Sequence, residues 1–225
     1  SNVHQVFLLV TINNPPTFTS FIDRFLVTAE AYSINTVILF NKIDAYDEET
    51  ILEVKYLASI YQKIGYECIG ISATTGTNID KVKELMLGKI SMFAGHSGVG
   101  KSTLVNAIEP SLDLKTKEIS NQHMQGQHTT TFAEMFDLSF DAQIIDTPGI
   151  KGFGLVEIDK NEITNFFPEF FALKSKCKFH NCIHLNEPNC KVKDAVVKNE
   201  IAESRYFSYL GMIEEEEGNY RLNDY

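Results

Sequence analysis

The sequence element that most restricts the fold is Gly95-His-Ser-Gly-Val-Gly-Lys101-Ser102, which fits the phosphate-binding pattern G-x-x-x-x-G-K-[ST]. It stands between a predicted strand over residues 89–93 and a predicted helix over 102–108. In such a loop, glycines let successive backbone N–H groups point inward at a phosphate, the lysine reaches the β- and γ-phosphates, and the serine hydroxyl ligates Mg²⁺. A strand–loop–helix unit of this kind belongs to a parallel α/β sheet, and here most of the sheet comes before the loop. Apolar runs at 6–10, 36–40 and 67–71 read as strands buried on both faces. Helical spacing at 18–32, 48–63 and 79–87 separates them, with Gly65 at a C-cap position. Residues 131–140 and 143–145 supply two further strands, close enough to form a hairpin. The expected fold is therefore α/β, with a six-stranded, mostly parallel sheet. After Gly154 the pattern becomes helical, aromatic (Phe166, Phe167, Phe170, Phe171) and cysteine-bearing. This places a boundary near 155, between an α/β domain at 1–155 and a small, mainly helical domain at 156–225.

Charge and cysteine usage narrow the class. The 225 residues carry a net charge of -10 and are 44% hydrophobic, as expected of a folded soluble domain. The strongest apolar run, residues 6–10, is far shorter than the roughly 20 residues of a membrane-spanning helix, and no cationic segment precedes it. A cytoplasmic protein without a membrane partner is expected. The acidity is uneven. Residues 174–198 hold six lysines (174, 176, 178, 191, 193, 198) against Glu187 and Asp194, whereas residues 199–225 hold seven acids against Arg205 and Arg221. The basic stretch coincides with three of the four cysteines. Cys177-x4-Cys182-x-His184-x5-Cys190 supplies three thiolates and an imidazole, a donor set suited to one tetrahedral structural zinc with no open position. His180 competes for the fourth place, and His184 is preferred. The alternative, unrelated buried thiols, fits the crowding less well. Cys68, within a predicted strand, reads as an inert core thiol.

Four further segments carry chemistry. Asn41-Lys42-Ile43-Asp44 follows a strand; an aspartate there can accept the two hydrogen bonds offered by guanine N1–H and N2, which adenine cannot supply. Asn41 would brace the pocket and the Lys42 stem would lie along the base. The plainer reading is a polar helix entry with Asp44 as N-cap. Ser72-Ala73-x-x-Gly76 follows the next strand and can offer an amide to the guanine oxygen, or can simply be a loop. Asp146-Thr-Pro-Gly149 ends a strand, where a carboxylate can hold Mg²⁺ through water and the Gly149 amide can sense a γ-phosphate; it is also ordinary turn chemistry. Gly126-Gln-His128-Thr129-Thr130-Thr131 lies where a first switch is expected, with a threonine completing the Mg²⁺ shell, although three threonines also suit the opening of a strand. Many GTPases place a glutamine just after Asp-x-x-Gly to orient water; that position is Ile150 here, which leaves His128 as the nearest candidate for the task. A solvated loop histidine is the equal alternative.

The order is informative. The base-reading segments (41–44, 72–76) precede the phosphate loop (95–102), the first switch (126–131) and Asp-x-x-Gly (146–149), whereas ordinary GTPases begin with the phosphate loop. The fold expected is a circularly permuted P-loop GTPase domain followed by the zinc-binding helical domain. With Gln127-His-Thr-Thr-Thr131 and Cys177-Lys-Phe-His-Asn-Cys-Ile-His-Leu-Asn-Glu-Pro-Asn-Cys190, the chain resembles the bacterial ribosome small-subunit-dependent GTPase A family over essentially its whole length. That resemblance implies a GTP hydrolase acting in late maturation of the small (30S) ribosomal subunit and stimulated by it. It implies zinc in the C-terminal domain, an N-terminal OB-fold not contained in residues 1–225, and a catalytic role for His128. On this reading GTP or GDP with magnesium meets Ser97, Gly98, Val99, Gly100, Lys101, Ser102 and Thr103, together with Asp146 and Gly149. Guanine meets Asn41, Lys42, Asp44, Ser72 and Ala73, while Lys101, His128 and Thr130 serve catalysis and Ser102 and Thr130 hold magnesium. The expected partners are the small subunit and its rRNA, and the chain is expected to act as a monomer. A second reading is a GTP/GDP-switched RNA- or ribosome-binding module with negligible intrinsic hydrolysis, motivated by the basic zinc segment. A third, a permuted GTPase acting on the large subunit, fits poorly with a zinc motif placed after Asp-x-x-Gly.

Overall fold

A computed structural model describes residues 3–112, 134–146, 158–159 and 161–214. Six strands form one sheet: β1 (Gln5–Val10), β2 (Asn35–Phe40), β3 (Glu67–Gly70), β4 (Ile90–Ala94), β5 (Glu134–Asp137) and β6 (Gln143–Asp146). Their spatial order is β3-β2-β1-β4-β6-β5. Every pairing is parallel except β5 with β6. The hairpin is closed by Leu138 N–H donating to Ala142 O at 2.9 Å, so β5 ends at Asp137 rather than at the expected 140.

Central β1 explains why the early apolar runs show no alternation. All six of its residues are buried, and even Gln5 is fully engaged. Its amide donates to Leu85 O and Ser91 Oγ and accepts from Lys89 Nζ, which removes the cost of burying a polar group. On one face, Phe7, Leu9, Val37 and Leu39 pack with Val82 and Met86 of α3 (Ile79–Met86) and Leu104 and Ile108 of α4 (Lys101–Ile108). Phe7 stacks on Phe93 at 5.3 Å. Helix α2 (Glu48–Ile64) begins at Asp47, whose carboxylate accepts from Thr50 N–H at 2.8 Å, and ends at Gly65. Asp47 is the cap, so Asp44 is not occupied with starting this helix.

Contacts divide the chain into two compact units, residues 1–17 with 34–152 and residues 18–33 with 153–225. The second contains α1 (Thr19–Ala31), α5 (Pro168–Lys174), α6 (Lys191–Val197) and α7 (Glu203–Glu214). A single cut near 155 keeps α1 with the sheet; the contacts instead group it with the C-terminal helices. Val27 of α1 shares a core with Ile163, Phe167, Phe170, Tyr209 and Met212. Asp23 of α1 pairs with Arg205 of α7 at 2.8 Å, and Arg205 also grips both oxygens of Glu169 at 2.7 and 3.1 Å while lying over the Phe167 ring at 4.5 Å. Burial opposes the Arg205 charge, and Asp23 and Glu169 outweigh it, holding its pKa above the ordinary value.

Candidate nucleotide site and metal centre

Parallel strands deliver their following loops to one edge of the sheet, the usual location for ligands in open α/β sheets. The segments after β1 (residues 11–17), β2 (41–46), β3 (71–77) and β4 (95–100), and Asp146 at the end of β6, all leave the C-terminal ends of parallel strands.

Asn41 joins three of these strands. Its backbone N–H donates to Val10 O at 2.9 Å. The side chain, 2% exposed, donates from Nδ2 to Val99 O at 2.8 Å and accepts from Ala73 N–H at 3.1 Å. One amide thus bridges the phosphate loop and the loop after β3. Gly100 is required for this approach: its φ is +99°, and a Cβ there would lie 2.5 Å from Asn41 Nδ2. Lys42, at φ +68°, donates from Nζ to Gly98 O at 2.9 Å and to Asn14 O. Asp44 sits exposed in a short 3-10 turn, Ile43–Ala45. Ser72 is buried and accepts from Thr75 N–H at 3.0 Å, closing its loop. The Ala73 amide, expected from the sequence to face a guanine oxygen, has Asn41 Oδ1 as its partner.

Val99 is buried, Ser97 and Gly98 are exposed, and Ser102 and Thr103 lie half-buried in the first turn of α4. Lys101 folds back over its own loop, with Nζ donating to Gly95 O at 2.5 Å and His96 O at 2.8 Å. His128, Thr130 and Gly149 lie outside the described residues.

The second cluster belongs to the C-terminal unit. The ligand atoms of Cys177, Cys182, His184 and Cys190 all lie within 4.8 Å of one another. His184 presents Nδ1 to all three sulfurs, at 3.8 Å from Cys177, 3.4 Å from Cys182 and 3.3 Å from Cys190. A tetrahedral zinc with ordinary bond lengths sets N···S edges of roughly 3.6 Å, close to the three observed, so the donor set suits such an ion. Burial pushes the Cys182 thiol up to about 12 and holds His184 down near 4. The imidazole is therefore neutral, as a ligand must be, and a bound cation would supply the charge that makes buried thiolates favourable. His180 is exposed and outside the cluster.

Three residues not singled out from the sequence hold this loop. Glu187 accepts from Ile183 N–H and Leu185 N–H, both at 2.8 Å. Burial opposes its charge, but these amides prevail and hold its pKa below the usual carboxylate range. Tyr209 donates to Ile183 O at 2.5 Å and Tyr206 to His184 O at 2.7 Å. Lys191 N–H donates to Cys177 Sγ at 3.4 Å. Such outer contacts orient metal ligands. A weak sequence signal existed for Glu187, an acid inside an otherwise basic segment; the tyrosines gave none.

Comparison with known proteins identifies the family. Residues 1–156 match the family model described as RsgA GTPase. The chain is 67% identical to the small ribosomal subunit biogenesis GTPase RsgA of Christiangramia forsetii, covering 100% of this chain and 71% of that protein. It is 64% identical to the Flavobacterium johnsoniae protein of the same name, covering 100% of this chain and 69% of that one. Among solved structures, YjeQ from Thermotoga maritima superposes with a TM-score of 0.80 at 42% identity, over 94% of this chain and 70% of that one. YloQ, described as a circularly permuted GTPase, gives 0.78 at 32% identity over 94% and 67%. With strands, loops and motifs in the permuted order and relatives matched along its whole length, the chain belongs to the RsgA GTPase family.

Proposed function

We propose that this chain hydrolyses GTP as a checkpoint in late maturation of the small ribosomal subunit and that the subunit stimulates it. The observation that carries the site assignment is the Asn41 bridge, which ties the Val99 carbonyl of the phosphate loop to the Ala73 amide of the candidate base-reading loop. Asp44, exposed and not used as a helix cap, accepts guanine N1–H and N2–H, and guanine competes with Asn41 for the Ala73 amide. The Lys42 stem lines the base while its ammonium holds Gly98 O. Lys101 leaves the carbonyls of Gly95 and His96 for the β- and γ-phosphates, where its charge stabilises the dispersed negative charge of phosphoryl transfer. Ser102 and Thr130, with Asp146 acting through water, would hold magnesium, which would supply further charge neutralisation. His128 positions the attacking water in place of a glutamine, and the Gly149 amide senses the γ-phosphate. Catalysis is mostly placement, slow until a partner orders the switch residues.

Cys177, Cys182, His184 and Cys190 hold one structural zinc. The relatives are named for small-subunit biogenesis, and the charge of the zinc segment suits rRNA. Its acids are spent internally: Glu187 on loop amides and Asp194 on Lys191 at 2.8 Å. Lys176, Lys178 and Lys198 remain exposed. The proposed setting is cytoplasmic and monomeric; among the described residues no helix is long and apolar enough to cross a membrane.

The test is single-turnover GTP hydrolysis with and without isolated small subunits. Acceleration by subunits, lost in His128→Ala with nucleotide affinity retained, is the expected result. GTP-dependent subunit binding without acceleration would replace the enzyme by a switched binding module, the reading the basic zinc segment also supports.

A further inference from the structure

We propose that His96 is a positioning residue of the nucleotide site, through which the loop between β1 and α1 sets the conformation of the phosphate loop. The inference rests on reading residues 95–102 as the loop that holds the phosphates of GTP.

Loop 11–17 is closed on itself by a reciprocal pair. Thr17 N–H donates to Thr11 O at 2.8 Å, and Thr11 N–H donates to Thr17 Oγ1 at 3.1 Å. Thr11 Oγ1 adds a bond to Pro15 O at 2.6 Å, and Ile12 N–H donates to the Tyr46 hydroxyl at 3.0 Å. A surface connection held at this many points is stiff enough to serve as a reference for its neighbour.

It meets the phosphate loop in three places. Pro15 packs on Gly98, where an added Cβ would lie 3.2 Å from Pro15 Cδ. Lys42 Nζ clamps Asn14 O and Gly98 O together. The third contact is His96, whose Nε2 lies 2.7 Å from Thr17 Oγ1 and whose Nδ1 lies 3.2 Å from Ser97 O. A carbonyl only accepts, so the Ser97 contact requires the proton on Nδ1, which leaves Nε2 to accept from the Thr17 hydroxyl. The chain of bonds then runs in one direction: Thr11 N–H to Thr17 oxygen, Thr17 O–H to Nε2, Nδ1–H to Ser97 O. Burial, with Lys101 and Lys42 close by, lowers the pKa of His96 and keeps the ring neutral, as this direction demands.

The ring is anchored by Thr17 on one side and fixes the next peptide on the other. The carbonyl of His96 itself accepts the Lys101 ammonium at 2.8 Å. His96 therefore sets both the first turn of the phosphate loop and the resting place of its lysine.

The experiment is titration of a fluorescent GDP analogue into Thr17→Val, His96→Ala and the double variant. Both single changes remove the part-buried Thr17–His96 bond, Thr17→Val also the acceptor of Thr11 N–H and His96→Ala also the bond to Ser97 O, and each is expected to weaken GDP about fivefold. The double variant is expected to lose less than the sum of the two single losses, because both changes delete the same Thr17–His96 bond. Thr17→Ser keeps the hydroxyl and is expected to bind like the parent. The imidazole nitrogen spectrum of the parent is expected to show the proton on Nδ1, with that preference lost in Thr17→Val. Additive losses in the double variant, unchanged affinity in the singles, or a parent proton on Nε2 would overturn the inference; if the valine variant does not fold, the tautomer of the parent decides. Lys101→Ala separates the underlying reading. Unchanged GDP affinity there would sink the phosphate-loop assignment itself, whereas loss of binding there with none in Thr17→Val would sink only the role of His96.

Discussion

Replacing Asn41 by aspartate turns the bridge between two nucleotide-site loops into a proton-dependent one. The asparagine donates to Val99 O and accepts from Ala73 N–H in a site 2% exposed. A protonated aspartic acid offers the same pair, an O–H for Val99 and a carbonyl oxygen for Ala73; an ionised one offers only acceptors and turns negative charge on a buried carbonyl. The folded-state pKa of the variant must therefore rise above the value of about 3.9 in the unfolded chain. Between those two values the folded state binds more protons than the unfolded state, so stability is complete below the unfolded pKa and falls as pH rises through the folded one. The slope is about 1.4 kcal/mol per pH unit, and a folded pKa near 6 corresponds to a loss of about 3 kcal/mol at pH 7. Asn41→Ala loses both bonds at every pH, about 2–4 kcal/mol, with no pH slope relative to the parent. Urea unfolding of the parent and both variants from about pH 4.5 to 8 checks this, plotted as the difference from the parent. A flat aspartate difference curve, or an alanine variant within about 0.5 kcal/mol of the parent, would refute the bridge as a source of stability.

Other perturbations follow the same logic. Arg205→Met leaves buried Asp23 and largely buried Glu169 without their cation and should cost about 3–5 kcal/mol in denaturant unfolding; Arg205→Lys loses the two-pronged grip on Glu169 and the stacking on Phe167 and should fall between. A chelator that strips the proposed zinc, or Cys182→Ser, should abolish the hydrogen-exchange protection of residues 177–190 while GDP affinity stays within about twofold, and equal loss of both would contradict two separable sites. Asp44→Asn should move preference from guanosine to xanthosine nucleotides, and an unchanged preference measured by competition would remove Asp44 from base recognition.

What could be read from the sequence was what lies in one contiguous stretch. The phosphate loop, Asn41-Lys42-Ile43-Asp44 and the Cys177–Cys190 ligand run each encode a backbone turn and its side chains together, and buried parallel strands announce themselves as unbroken apolar runs such as 6–10. What could not be read was the pairing of single residues far apart. Thr17 and His96 are 79 residues apart, and Arg205 and Asp23 are 182 apart; neither pair leaves a pattern, because one threonine or one buried acid looks like any other until the fold brings it to its partner. The same limit shaped the reading of α1. Its amphipathic spacing gave a helix, but spacing does not say which core the apolar face will enter, and Val27 and Asp23 take it into the company of the C-terminal helices. Glu187 makes the point most sharply: in the sequence it only lowers the charge of a basic segment, whereas in the fold its carboxylate is bound by two amides that flank His184, a role that depends on backbone geometry no residue count carries.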